Sequence, residues 1–254
     1  MLKRALIGYT GFVGQNLLRQ SRFDATFNSK NIDEIRGREF DEIVCAATPP
    51  EKWKANADPE GDQRAIERLT SALREVKATR FVLVSTVDVF PVLCGVDERT
   101  LITPEAVAPY GRHRLQLEIM VRQVFTDTVI VRLPALFGPG LKKNALFDLL
   151  HDHQVDRIDG RGTFQFYDVA NLTRDIGVCI ENDIPLLNIA TEPIAIAVIA
   201  RDLFGRTLTP ATSPQGPSYD LHSVYAPLWG HDDGYLYAKT VVFRALTTFV
   251  QESR

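Results

Sequence analysis

Residues 4–14, RALIGYTGFVG, decide the fold of this chain. A short apolar run ends in Gly8, and Gly11 and Gly14 follow where a helix is expected to begin. A glycine at the strand end permits a tight turn, a second lets a pyrophosphate approach the backbone, and a third lets the helix pack against the sheet. The spacing is GxxGxxG rather than GxGxxG, and it predicts a dinucleotide site. The predicted cofactor contacts in this turn are Gly8, Thr10, Gly11, Phe12, Val13 and Gly14.

The residues after the second predicted strand bear on the type of dinucleotide. Folds of this kind often carry an acidic residue about 20 residues after the glycines, which binds the adenosine ribose. That position holds Asn28, followed by Ser29 and Lys30, so no carboxylate stands there to repel a 2′-phosphate. Lys30 or Arg22 could pair with such a phosphate, which favours NADP over NAD. The alternative is that these are ordinary residues of a surface loop.

Short β-rich runs alternate with helical patterns through the first two thirds of the chain. The run FVLVS at 81–85 is nearly all apolar, as expected for a strand covered on both faces. Ile66, Leu69, Leu73 and Val76 recur at helical spacing. The alternation predicts the α/β class, with a Rossmann-type doubly wound parallel sheet. Strands are predicted at 4–8, 26–28, 41–46, 80–85, 128–132 and 186–190, and helices at 14–20, 62–76, 108–124, 145–151, 169–181, 194–204 and 237–251.

The composition excludes several other classes of protein. The 254 residues are 45% hydrophobic and 24% charged, which is typical of a globular protein. A net charge of -3 gives no basic surface for nucleic acid, and no run of 18 apolar residues predicts a membrane span. The first residues are too short an apolar run for a signal peptide. Cys45, Cys94 and Cys179 lack metal-ligand spacing, so we expect reduced thiols, a cytoplasmic protein and no metal.

Five motifs follow one another in the chain: GYTGFVG, FDEIVCAA, FVLVSTVDVFP, PYGRHRLQLE and VRLPALFGPG. Together they resemble an extended short-chain dehydrogenase/reductase of the NAD-dependent epimerase/dehydratase type, a family that acts on nucleotide sugars. The resemblance covers nearly the whole chain and implies an NAD(P) cofactor. The stretch between the second and third strands is short for this family, so a helix is expected to be missing there. Beyond the glycine turn, the resemblance implies cofactor contacts from Ala46, Ala47, Ser85, Tyr110, Arg114, Leu133 and Pro134.

The stretch YGRHR at 110–114 places Tyr110 and Arg114 on one face of a helix, four residues apart. A free Tyr has a pKa of about 10, and a nearby fixed cation is expected to lower it. Thr86, at the end of a strand, could hold a substrate oxygen. The family carries Lys at position 114; Arg can supply the charge but does not readily release a proton. Thr86, Tyr110 and Arg114 are the predicted catalytic group, and the plainer alternative is a surface helix with Tyr packed on an Arg stem.

Three further residues are weaker candidates for substrate contacts. Asp88 lies where dehydratases of the family carry an acid, but those enzymes place two acids side by side and this chain does not. Dehydration is therefore disfavoured, and Asp88 could equally cap the turn after the strand. Lys143 and Asn144 follow a Gly-Pro-Gly loop and could meet the diphosphate of a nucleotide sugar. Loop lysines, however, are mostly solvated.

The sequence thus predicts an NAD(P)-dependent oxidoreductase or epimerase that acts on a nucleotide-linked sugar by hydride transfer at a carbonyl or carbinol carbon. Residues 1–135 are expected to form the dinucleotide-binding core, and residues 136–254 a substrate-binding region interleaved with the last core elements. The resemblance implies a homodimer formed through the helices predicted at 62–76 and 108–124. The apolar stripes of these helices are compatible with a dimer interface and also with packing in the core. The alternative function is a dinucleotide-binding sensor or scaffold that has lost turnover.

Overall fold

A computed structural model of the chain describes residues 2–210 and 216–254. In this part of the chain the strands are β1 (Arg4–Ile7), β2 (Ala25–Phe27), β3 (Glu39–Cys45), β4 (Lys77–Thr86), β5 (Cys94–Val96), β6 (Asp127–Leu133), β7 (Ala135–Phe137), β8 (Thr163–Phe164), β9 (Phe166–Asp168), β10 (Leu186–Asn188), β11 (Ile194–Ala195) and β12 (Asp220–Leu221). The helices are α1 (Phe12–Gln20), α2 (Lys52–Ala57), α3 (Pro59–Leu73), α4 (Pro109–Val124), α5 (Ala145–His151), α6 (Leu172–Glu181), α7 (Ile196–Phe204) and α8 (Lys239–Glu252).

Six strands form the central sheet in the order β2-β1-β3-β4-β6-β10. β1 pairs in parallel with both β2 and β3, and the pairs β3–β4 and β4–β6 are parallel as well. After β1 the chain forms β2 on one side and then crosses to β3 on the other, so the strand order reverses between β1 and β3. Ligands of open parallel sheets bind beyond the carboxyl ends of the strands at such a reversal.

Helices flank the sheet as the alternating pattern predicts. α1 contacts α6, α3 packs against α4, and α4 lies against β4 and β6. The predicted α/β class with a Rossmann-type parallel sheet is therefore confirmed. The expected shortening is confirmed too, because the chain between β2 and β3 forms only one 3-10 turn, Ile32–Ile35, where a longer member would have room for a helix.

The centre of the sheet is an apolar core. Residues 81–85 of β4 are all buried, and the ring of Phe81 stacks on that of Phe125 with 4.3 Å between centroids. Burying each large apolar side chain stabilises the fold by about 1.5–3 kcal/mol. The apolar stripe of α3 belongs to this core, since Ile66, Leu69 and Leu73 are buried within the chain. That stripe is core packing and leaves no open apolar face on α3.

One helix escaped prediction from the sequence. α2 has six residues of mixed polarity, of which only Ala55 is buried, so it carries no apolar period that would reveal it. The next helix begins at Pro59, three residues before the predicted start. Asp58 caps it by accepting a hydrogen bond from the Gly61 N–H at 2.9 Å, and a proline at the first helical position suits that start.

The chain forms two compact units. The first holds residues 1–91, 101–133 and 170–187, and the second holds residues 92–100, 134–169 and 188–254. In the second unit β7 pairs in parallel with β9, and α8 packs against β9. Buried Gln165 donates to the carbonyls of Thr191 and Leu221 and accepts from the Leu221 N–H, which ties three segments together. No helix among residues 2–210 and 216–254 has both the length and the apolar character needed to cross a membrane.

Candidate active site

Most of the predicted cofactor residues collect at one edge of the sheet. The glycine turn follows β1, residues 28–30 follow β2, Ala46 and Ala47 follow β3, Ser85 lies at the end of β4, and Leu133 ends β6. Because these strands are parallel, their carboxyl ends meet at the same edge. The segments therefore lie at the place where sheets of this type bind ligands.

The fold itself requires two of the three glycines in the turn. Gly8 has φ +91°, and a Cβ there would lie 2.3 Å from the carbonyl oxygen of Ala46. A Cβ on Gly14 would lie 2.1 Å from the Gly8 carbonyl oxygen. These two residues bring β1, β3 and the start of α1 into close contact.

Gly11 is different, because little in the chain excludes a side chain there. A Cβ on Gly11 would come no nearer than 3.4 Å to a neighbour, the Gly8 carbonyl oxygen, and Gly11 is exposed. It caps α1 without a side chain, and the first turn of α1, which includes Phe12 and Val13, holds no acidic residue. The first N–H groups of a helix lack partners within it. An open, uncharged helix start beside a bare glycine fits the pyrophosphate of a dinucleotide.

The turn after β2 is ordered by its own side chains. Asn28 accepts a hydrogen bond from the Lys30 N–H at 2.8 Å and donates its own N–H to Asn31 Oδ1 at 2.7 Å. Ser29, Lys30 and Arg22 are exposed. The turn thus presents a lysine and no carboxylate at positions 28–30.

Thr86 and Tyr110, predicted to act together, are brought together. Tyr110 is the second residue of α4, and the Thr86 side chain lies close enough to its phenol to lower the phenol pKa by hydrogen bonding. Thr86 Oγ1 also accepts a hydrogen bond from the Asp88 N–H at 3.1 Å. A Cβ on Gly111 would lie 1.9 Å from the Asp88 carbonyl oxygen, so the start of α4 rests directly on the turn after β4.

Arg114 is bound mainly by groups of the protein itself. Its side chain is 1% exposed, and its Nη1 and Nη2 atoms grip the Asp62 carboxylate in a fork, with Nη2–Oδ1 at 2.8 Å. Nη1 also donates to the Tyr110 carbonyl at 2.9 Å and Nη2 to the Pro49 carbonyl at 2.6 Å. Of five N–H donors only Nε has no partner among the described residues, and it is buried. The other four donors hold the protein together, and the expected contact of Arg114 with a cofactor ribose stays a prediction.

The positive charge of Arg114 nevertheless lies where it was predicted. The guanidinium carbon is 3.9 Å from the centroid of the Tyr110 ring. A cation at this distance over an aromatic face is attracted to it. Arg114 therefore supplies charge to Tyr110 without serving as a free donor.

The pKa of Tyr110 moves in the direction opposite to the one expected. Burial raises it, the charge of Arg114 opposes that rise, Asp88 adds to it, and Lys52 and the Thr86 hydrogen bond lower it. The net pKa lies above the ordinary value of 10.0. At neutral pH the phenol is thus protonated and suited to give a proton rather than to take one.

Asp62 is the anchor of the Arg114 fork. It also bonds His113 Nδ1 through Oδ2 at 2.7 Å, and both partners are buried. Burial alone would raise the pKa of Asp62, but the hydrogen bonds and charges of Arg114 and His113 outweigh it and hold the pKa below its usual value. Asp62 is therefore a paired carboxylate between α3 and α4.

Lys52 is the site residue that the sequence analysis missed. Its Nζ lies 2.7 Å from Asp88 Oδ1, which also gives Asp88 a role other than the expected cap. Thr86 caps the turn instead. Its position in the chain could have indicated it, because the segment after β3 follows the carboxyl end of a central strand, where functional loops concentrate.

Ser85 serves the core beneath the site. Its hydroxyl donates to Glu118 Oε1 at 2.6 Å, and Arg132 pairs with Glu118 at 2.7 Å from Nη2 to Oε2. All three are buried, and the Arg132 guanidinium lies over the Phe90 ring. The network joins β4, α4 and β6, and the predicted cofactor contact of Ser85 stays a prediction.

Two of the three weaker substrate candidates, Lys143 and Asn144, lie in the second unit. Asn144 caps α5 by accepting from the Phe147 N–H at 3.1 Å, and its side-chain amide donates to the Leu136 carbonyl at 2.7 Å. These contacts give Asn144 a structural role. Lys143 is exposed, and Pro134 follows the end of β6.

Solved structures share this fold over nearly their whole length. MoeE5 in complex with UDP-glucose and NAD is 17% identical with a TM-score of 0.74, covering 98% of this chain and 97% of that one. The dTDP-4-dehydrorhamnose reductase of Bacillus anthracis in complex with NADP is 18% identical with a TM-score of 0.75 over 99% of each chain. The UDP-glucuronic acid 4-epimerase of Bacillus cereus, in complex with UDP-glucuronic acid and NAD, is 16% identical with a TM-score of 0.71 over 100% of each chain.

The sequence comparisons identify the family. A search of curated proteins found no match. A family model described as the NAD dependent epimerase/dehydratase family matches residues 21–158, more than half of the chain. The matched span begins after the glycine turn and includes Thr86, Tyr110 and Arg114. In agreement with its motifs and its fold, the chain belongs to the NAD-dependent epimerase/dehydratase family.

Proposed function

We propose that this protein is an NAD(P)-dependent enzyme that transfers hydride to or from a carbonyl or carbinol carbon of a nucleotide-linked sugar. The observation that carries the proposal is the joint placement of Thr86 and Tyr110 beside the Arg114 charge. Thr86 ends β4 at the same edge of the sheet where the glycine turn follows β1. Family membership and the enzymes among the structural neighbours support it.

The chain's own residues divide the work. A bound nicotinamide dinucleotide would supply or accept the hydride. The start of α1 and Gly11 hold its pyrophosphate, and Ala46 and Ala47 border its riboses. Thr86 holds the substrate oxygen by a hydrogen bond, and Tyr110 gives that oxygen a proton. The charge of Arg114 stabilises the phenolate that remains.

The protonated phenol favours reduction as the main direction. Reduction of a carbonyl needs a proton donor at once, whereas epimerisation first needs Tyr110 to accept one. Dehydration stays disfavoured, because Asp88 is paired with Lys52 and has no second acid beside it in the sequence. The sensor or scaffold alternative gains no support from the structural neighbours, because two of them are named as a reductase and an epimerase.

Several finer predictions accompany this function. We propose that the first unit binds the cofactor and that the second contacts the sugar nucleotide, with Lys143 near its diphosphate. Lys30 favours NADP, and a Lys30→Glu variant should lose affinity for NADP more than for NAD in binding titrations. A homodimer and a cytoplasmic location also remain predictions. Analytical ultracentrifugation would test the dimer.

The test of function uses the purified protein with NADPH or NADH and a panel of 4-keto nucleotide sugars. The absorbance of the reduced nicotinamide should fall with at least one sugar. A Tyr110→Phe variant should still bind the cofactor and be at least about a hundredfold slower, as expected for loss of a proton donor. Cofactor binding without any absorbance change across a broad panel would refute the proposal and favour a binding protein.

A further inference from the structure

The site lacks a lysine on α4, yet a lysine reaches it from another element. We propose that Lys52, on α2, supplies a second positive charge to the Tyr110 phenol, with Asp88 as the opposing charge that tunes it. The proposal rests on the proposed function, in which Tyr110 gives the proton. Lys52 would act through Tyr110 by adjusting the acidity of its phenol. Arg114 would supply a constant charge, because it is held by Asp62.

The segment that carries Lys52 is held against the start of α4 at both ends. Before Lys52, the Pro49 carbonyl accepts a hydrogen bond from Arg114 Nη2 at 2.6 Å. After it, Asn56 Oδ1 accepts from the Tyr110 N–H at 3.0 Å, which satisfies a donor at a helix start that has no cap of its own. Between these two contacts Ala55 is buried. Lys52 therefore stands on a docked segment and is not a loosely placed surface lysine.

The partner of Lys52 is equally well placed. Asp88 Oδ1 lies 2.7 Å from Lys52 Nζ, and the Asp88 side chain is only 17% exposed, against 46% for Lys52. The Asp88 N–H binds Thr86 Oγ1, and its carbonyl oxygen touches Gly111, the residue after Tyr110. The ion pair thus sits between the hydroxyl that holds the substrate oxygen and the helix turn that bears the phenol.

Four groups from four elements act on the phenol. Arg114 of α4 and Lys52 of α2 bring positive charge, Asp88 of the turn at 87–89 brings negative charge, and Thr86 of β4 brings a hydrogen bond. The two positive charges and the hydrogen bond oppose the effect of burial, which makes the phenol a stronger acid than burial alone would allow. Arg114 is itself bound to Asp62, so Lys52 and Asp88 are the pair whose removal changes the charge most simply.

The first test measures the ionisation of Tyr110 in the cofactor-free protein. Carbon-13 NMR of labelled tyrosine rings follows all seven tyrosines, and Tyr110→Phe identifies the resonance. Lys52→Met should move the Tyr110 titration to higher pH and Asp88→Asn to lower pH, and the double variant should return it towards that of the natural protein. Lys54→Met is the matched control, because it makes the same change of charge on the same helix. It should leave the titration unchanged.

The second test follows reduction by the cofactor-loaded protein. Lys52→Met should lower kcat about tenfold at neutral pH and move the alkaline fall of kcat to higher pH, while Lys52→Arg should restore most of the rate. Circular dichroism checks that each variant is folded. The proposal would be overturned if Lys52→Met and Lys54→Met gave the same Tyr110 titration. It would also be overturned if both variants fold and give the same pH profile of kcat. If the natural protein reduces no sugar, the proposed function fails, and the cofactor-free titration still decides the role of Lys52.

Discussion

At the scale of single residues, Arg114 stabilises this site in two ways. Its fork with Asp62 joins α3 to α4, and its charge lies over the Tyr110 ring. A buried ion pair contributes little beyond its own cost of desolvation, but breaking one leaves an uncompensated charge. The stability of the site therefore depends on both partners being present.

Replacing Asp62 by Asn should lower the free energy of unfolding by about 3–5 kcal/mol, because Arg114 would be left buried without a counter-charge. Urea unfolding measures this. Glu60→Gln on the same helix is the control, since the Glu60 carboxylate is 89% exposed, and it should change stability by no more than about 0.5 kcal/mol. The pKa of Asp62 is lowered on folding, so its contribution is present above the unfolded value and is lost as pH falls through the folded one. Equal effects of the two variants would contradict the role given to this pair.

Replacing Arg114 by lysine, the residue expected from the family resemblance, should not speed the reaction. A single ammonium cannot form the planar fork to Asp62 while also serving the Pro49 and Tyr110 carbonyls. Buried acceptors left unpaired cost about 1–3 kcal/mol, so the variant should be less stable and no faster than the natural protein. Thermal unfolding and the reduction assay measure this, and a variant that is both more stable and faster would show that Arg114 is a poor substitute for Lys.

Reduction should persist well into the alkaline range. The proton donor must be protonated, so activity is present below the pKa of Tyr110 and is lost as pH rises through it. Because burial raises that pKa above the ordinary 10.0, the alkaline fall of kcat should lie above about pH 10. The pH profile of kcat with saturating sugar measures it. A fall of kcat near neutral pH would contradict the assignment of Tyr110 as the proton donor.

At the scale of elements, the first strand, its glycine turn and α1 were predictable from the sequence because the pattern is local. The partners of Arg114 were not, since Asp62 and Pro49 lie 52 and 65 residues away and come into contact only through tertiary packing. The same holds for α2, which carries no apolar period and is held by contacts with α4. Local patterns indicate elements, and the contacts between elements decide what each charged side chain does.

The glycine turn allows structure and binding to be separated. Gly11→Ala should change stability by no more than about 1 kcal/mol, as a cap residue would, but weaken dinucleotide binding at least about tenfold. Gly14→Ala should instead destabilise the protein strongly, because its Cβ would collide with the Gly8 carbonyl. Calorimetric titration and urea unfolding measure the two effects. Unchanged dinucleotide affinity in Gly11→Ala would contradict the placement of the pyrophosphate.

At the scale of the whole molecule, the alternation of strands and helices was enough to predict a parallel sheet, and the division into a dinucleotide-binding core and a substrate-binding region stays a prediction. Neither unit is continuous in sequence, because residues 92–100 belong to the second unit and residues 170–187 belong to the first. Such discontinuity depends on long-range contacts with no signature in a local window. The edge where β1, β3 and β4 end was nevertheless predictable, because parallel strands place their carboxyl ends together.

Hydride transfer is the central claim, and tracking deuterium tests it most directly. The protein is mixed with nicotinamide cofactor deuterated at the reactive ring carbon and with each 4-keto nucleotide sugar, and the sugar product is analysed by mass spectrometry and NMR. We predict deuterium at the former carbonyl carbon of at least one sugar, with at least about a hundredfold slower incorporation by Tyr110→Phe. Cofactor bound by the protein, with no deuterium in any sugar of the panel, would contradict the claim.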